Sequence, residues 1–118
     1  MSGLTIILVA TDDARVRAAL TLACAHAALG GRVRLFAEAD AVVALAAQPR
    51  PEDAAPSIDR PDRLHLLALA RQSGVALIAC QTGLAATGLT ITALAPGCEG
   101  GGLIGLLATL EDDRLVTL

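Results

Sequence analysis

The chain reads as a single-domain α/β protein, a parallel sheet of about five strands with helices on both faces. Three observations predict this. Short apolar runs rich in Ile, Val and Leu recur along the sequence, segments of helical period separate them, and glycines stand where those helices end. At 118 residues there is room for one hydrophobic core, so residues 1–118 are expected to form one domain with no internal repeat.

The first run, residues 4–10, has the length and β-branched content of a strand and stops at Thr11-Asp12-Asp13. Thr11 or Asp12 can cap the helix that follows, and the acidic pair suits its positive end. Val16, Leu20, Ala23, Cys24 and Ala27 fall on one face of that helix, which Gly30-Gly31 terminates. A second strand is expected over 33–37 and a short helix with an apolar side over 39–47. Residues 48–60 hold three of the five prolines among acidic residues and read as a flexible loop, able to act as a lid or to hang free.

Pro61 suits the first turn of the next helix, with Asp59 or Arg60 as cap and Leu64, Leu67, Ala68 and Arg71 along its period up to Gly74. Val75 to Ala79 reads as a buried third strand, followed by a helical turn over 83–87. A fourth strand is expected over 90–94, a helix over 102–110 and a last strand over 115–118.

Composition removes several function classes. The hydrophobic fraction is 54%, Phe36 is the one aromatic residue, and the net charge is −3 with nine arginines and no lysine. A nucleic-acid binder would carry a basic patch with stacking aromatics. Arg32 and Arg34 are the nearest thing to a basic cluster; alternating on a strand, they mark a solvated face or an interface edge. No apolar stretch approaches the ~20 residues that span a bilayer, and residues 4–10 are too short for a signal core. With Cys24, Cys80 and Cys98 as free thiols, the cytoplasm is the expected compartment.

Cys80 is the most informative residue. It leaves the third strand at the carboxyl end of the sheet, where ligands and reactive groups collect in open α/β folds. The amides of Gln81, Thr82 and Gly83 can stabilise a thiolate there, with help from the Thr82 hydroxyl. The competing reading is a small buried residue at a strand end. Cys98 follows the expected fourth strand and, if that strand neighbours the third, emerges at the same rim as a redox or resolving partner.

The other candidates have simpler accounts. Cys24 is a core residue, and His26 and His65 have no metal-ligand spacing, so neither a metal nor a cofactor is expected. Gly100, Gly102 and Gly105 formally make a G-x-G-x-x-G pattern, but no strand and acidic residue follow at the spacing a dinucleotide site requires. Close helix–sheet packing explains them better. Asp12 and Asp13 are explained by capping, and nothing selects Arg15 or Arg17 as an anion contact.

The order and spacing of these pieces resemble the DsrE/DsrF-like family, which includes TusD-type sulfur-relay proteins. The likeness rests on the first strand and a helix ending Ala27-Ala28-Leu29-Gly30-Gly31, on Val33-Arg34-Leu35-Phe36, and on Glu38-Ala39-Asp40-Ala41-Val42. It continues in Gly74-Val75-Ala76-Leu77-Ile78-Ala79-Cys80 with Gly83 and Gly88-Leu89, and in Gly100-Gly101-Gly102-Leu103 through to the carboxyl terminus. The resemblance implies a flavodoxin-like sheet and homo-oligomers that are dimers, trimers or hexamers. It also implies a sulfur carrier or sulfurtransferase that holds a persulfide on Cys80, without cofactor, between a donor and an acceptor protein. Two alternatives stay open: a non-catalytic oligomeric binding or scaffold member of the same fold, and a thiol-redox protein using Cys80 with Cys98.

Overall fold

The computed structural model describes residues 1–55 and 57–118. Five parallel strands lie in the order β4-β3-β2-β1-β5: β1 (Leu4–Leu8), β2 (Val33–Ala37), β3 (Ala76–Cys80), β4 (Glu99–Gly101) and β5 (Arg114–Thr117). The helices are α1 (Asp13–Ala28), α2 (Arg63–Gln72), α3 (Gln81–Thr87) and α4 (Leu103–Ala108). The chain steps in one direction from β1 to β4 and then crosses back to β5. Right-handed crossovers therefore put α1 and α2 on one face and α4 on the other.

Side chains alternate along each strand, so partners in a parallel ladder share a face. Leu4, Ile6 and Leu8 of β1 align with Val33, Leu35 and Ala37 of β2, and all six are buried in the core with Leu77 and Ala79 of β3. α1 meets this face through Val16, Ala19, Leu20 and Ala23. Asp12 caps the helix by accepting from the Arg15 amide at 3.2 Å, and Gly30, with φ +92°, lets the chain turn away at its end.

Arg34 turns to the opposite face, and of the two expectations for it the solvated face is not what forms. It is buried, donating to Thr5 Oγ1 at 3.1 Å, Thr109 Oγ1 at 2.7 Å and the Leu106 carbonyl at 3.1 Å. Its guanidinium thereby ties α4 to the sheet. Arg32 is the exposed member of the pair and bonds Asp113 at 2.9 Å.

Three expected elements form differently. Residues 39–47 give a 3-10 segment, Ala39–Leu45, which ends in an antiparallel bridge from Ala46 to Leu94. Residues 90–94 are not a strand: Ile91–Ala93 is a 3-10 turn, and the fourth strand is the Glu-Gly-Gly of β4. Glycine is required there by contact, since a Cβ on Gly101 would lie 2.8 Å from Ile78 Cγ2. α2 starts two residues after Pro61, capped by Asp62, which accepts from the His65 amide at 2.8 Å. Its buried face is Arg63, Leu66, Leu67 and Ala70, whereas Ala68 and Arg71 are exposed.

That rotation follows from Arg63, which is 0% exposed. Its guanidinium donates to the carbonyls of Ala44, Ala46 and Gln48 at 2.7 to 2.9 Å and to both Asp53 oxygens. Arg50 adds two bonds to Asp53 and one to the Thr11 carbonyl. Within the 48–60 loop, expected to act as a lid or to hang free, residues 48–53 are tied down by these bonds; Pro56, within it, lies outside the described residues.

Burial by itself would raise the Asp53 carboxyl, but hydrogen bonds from Arg63 and Arg50 and the Arg63 charge outweigh it and hold the group well below the usual carboxylate range. A carboxylate held down in the folded state adds stability that is complete above its unfolded value, about 3.9, and is lost as pH falls through the folded one. Asp53→Asn is therefore expected to cost about 3 kcal/mol at neutral pH in urea denaturation. The variant should also lose the part of the acid-induced destabilisation that sets in below about pH 4.

Candidate functional site

Cys80 is both the last residue of β3 and the N-cap of α3. The sulfur makes two hydrogen bonds of opposite sense. It accepts from the Gly83 amide at 3.4 Å, and its S–H donates to Glu38 Oε1 at 3.5 Å. The residue is 6% exposed and borders a cavity of about 280 Å³, whose wall also includes Glu38, Gln81, Thr82, Gly102 and Leu103. Of the three amides expected around the thiol, Gly83 is the one that bonds to sulfur; Gln81 and Thr82 contribute cavity wall.

Glu38 was not singled out from sequence as a site residue. It follows β2 at the same carboxyl rim, its amide donating to the Leu8 carbonyl at 2.9 Å. Ala39 next to it takes φ +50°, a left-handed backbone uncommon for a non-glycine residue. The other carboxylate oxygen, Glu38 Oε2, is buried with no hydrogen-bond partner among the described residues.

α3 is pressed against the segment that starts at Ala39. A Cβ on Gly83 would overlap the Ala39 carbonyl oxygen and touch Val42. Glycine at 83 thus lets the helix approach closely enough for its amide to reach Sγ.

A model of the DsrE/DsrF-like family matches residues 4–118. The chain belongs to the DsrE/DsrF-like family. Among solved structures it is similar to the ychN protein from E. coli, at 24% identity over 100% of both chains with a TM-score of 0.79. It is also similar to a protein of unknown function, MTH1491 from Methanobacterium thermoautotrophicum, at 15% identity over 98% of this chain and 99% of that one, with a TM-score of 0.67. At these identities the likeness is one of fold. No curated protein matches the sequence.

In this DsrE/DsrF-like chain the remaining candidates disperse. Cys98 precedes β4 instead of following a strand, and Cys80 pairs in register with Gly101. Three residues of strand separate the levels of the two cysteines, ~10 Å along the sheet, beyond the ~7 Å Cα limit for a disulfide. The expected Cys80–Cys98 pair is therefore not assembled, and burial pushes the Cys98 thiol up to about 11. Cys24 is half-buried between α1 and α2, its thiol 3.9 Å from the Leu66 carbonyl, and burial raises it also.

His26 bonds the Ser2 carbonyl at 2.8 Å and His65 is exposed. Gly100 lies on β4 and Gly102 caps α4, where they serve the strand–helix junction. Arg17 is paired with Asp13 at 2.6 Å and Arg15 is exposed on α1. Among the described residues no three His, Cys, Asp or Glu side chains gather as a metal-binding group, and no helix is long and apolar enough to cross a membrane.

Gly83→Ala is expected to force α3 off the Ala39 carbonyl and lower stability by about 1 to 3 kcal/mol, measured by urea unfolding. The rate of Cys80 modification by iodoacetamide should change in the same variant, since the Gly83 amide no longer sits on the sulfur.

Proposed function

We propose that this DsrE/DsrF-like protein carries sulfur as a persulfide on Cys80. The observation that supports the reading most directly is the sulfur's pair of opposed hydrogen bonds beside a cavity at the carboxyl end of the sheet. In the transfer, the Cys80 thiolate attacks the outer sulfur of a donor persulfide. A new S–S bond forms at Sγ, the donor's own S–S bond breaks, and the donor leaves as a thiolate that takes up a proton. Sulfur moves with no net oxidation or reduction, so no cofactor is required. Three free thiols are consistent with work in a reducing compartment such as the cytoplasm.

Incubation with glutathione persulfide is expected to add one sulfur atom, about 32 Da, to the intact protein by mass spectrometry. Cys80→Ser should abolish the adduct, while Cys24→Ser and Cys98→Ser should retain it. An adduct that survives Cys80→Ser, or none in the wild type, overturns the reading. The low exposure of Cys80 favours the second reading, a non-catalytic small-ligand-binding or scaffold member, and an unloaded wild type would count for it against the carrier.

The partner supported best is a second copy of the chain. α4 buries Leu106 but exposes Leu103, Ile104 at 89% and Leu107, and Leu115 of β5 is exposed on the same face of the sheet. Ile104→Asp is expected to shift the protein toward monomer in light scattering after size exclusion, with the far-UV circular dichroism spectrum of the folded chain unchanged and the urea midpoint lowered.

A further inference from the structure

We propose that Glu38 is the proton carrier of the transfer at Cys80; this rests on the sulfur-carrying reading above. Two observations lead to it. The thiol proton of Cys80 points at Glu38 Oε1, 3.5 Å from sulfur, so the carboxylate is the group placed to take that proton when Sγ becomes a nucleophile. The second oxygen, Oε2, is withheld from water with no donor near it, although Glu38 borders the same cavity as Cys80. Buried carboxylate oxygens are nearly always satisfied, and one left without a donor beside a reactive thiol fits a group that takes and gives a proton.

The surrounding cations do not supply that partner. Arg63 and Arg50 bond to Asp53, Arg17 to Asp13, and Arg34 to Thr5, Thr109 and the Leu106 carbonyl. Among the described residues no ion pair reaches Glu38. The carboxylate is therefore not held in a salt bridge, and the hydrogen bond it accepts is the one from the Cys80 thiol.

The step balances around this one group. Glu38 accepts the proton from Cys80, the sulfur attacks the donor persulfide, and the electron pair of the broken S–S bond leaves on the donor's thiolate. Glu38 then gives the same proton to that thiolate, and the carboxylate returns to its starting state. No net proton is exchanged with solvent: the donor enters as a protonated persulfide and leaves as the thiol.

Two reagents with different leaving groups test the assignment. Glutathione persulfide releases a basic thiolate that needs a proton, whereas methyl methanethiosulfonate releases a sulfinate that departs without one. Glu38→Gln is expected to slow both reactions, since each needs the Cys80 proton removed, by about 10-fold for the thiosulfonate and about 100-fold for the persulfide, whose leaving group also needs that proton back. Glu38→Asp, with the same charge on a shorter arm, should keep an intermediate persulfide rate, and it decides the matter by the same selectivity if Glu38→Gln does not fold. Equal losses with both reagents, or no loss with either, overturn the role of Glu38 while leaving the carrier intact. A wild type that reacts with the thiosulfonate but takes no sulfur from the persulfide overturns the carrier reading and this one with it.

Discussion

A guanidinium has five N–H donors and no acceptor, and in Arg63 these are directed inward. Three backbone carbonyls, at Ala44, Ala46 and Gln48, have this side chain as a donor, and the Asp53 carboxylate balances its charge. Removing either member would strand the other in a region closed to water, which costs far more than the pair gains over an apolar substitute. The consequence is mechanical as well as energetic. The carbonyls lie at the end of the 3-10 segment that starts at Ala39, so the buried arginine holds one end of a piece of chain whose other end carries Glu38. α3 packs on that piece at Gly83. The geometry around Cys80 is thus supported from a residue on a different helix.

The two faces of the sheet are built unequally. One is filled by Leu, Ile, Val and Ala against α1 and α2. The other holds Thr5, Arg34 and Asp113 under the six-residue α4, and its hydrogen bonds do the work that apolar contact does on the first face. A helix this short cannot cover the face alone, which is why large aliphatic side chains remain in solvent on α4 and β5.

The first three strands and α1 were legible because each is either a continuous apolar run or a clear helical stripe. What went unread lay where contact outranks local preference. β4 is Glu99-Gly100-Gly101, with no residue of high strand propensity; it exists because β3 offers a ladder and because a side chain at 101 would strike Ile78. Residues 90–94 have β-branched content but spend it on a turn that leads to the bridge with Ala46. The face of α2 expected from Leu64, Leu67, Ala68 and Arg71 is rotated because a fully buried arginine, Arg63, places charge inside. At the site, Cys80 was visible from its place at a strand end. The same argument applied to β2 points to Glu38, the first residue past Ala37, which is the signal that sequence alone offered.

The position of Cys98 has one further consequence. It lies just before β4, about three residues down the neighbouring strand from the level of Cys80, and Cys24 lies between α1 and α2. No thiol of the same chain can therefore resolve a modified Cys80 by ring closure. Whatever group is placed on that sulfur stays until a second molecule arrives, so its lifetime is governed by encounter and not by folding.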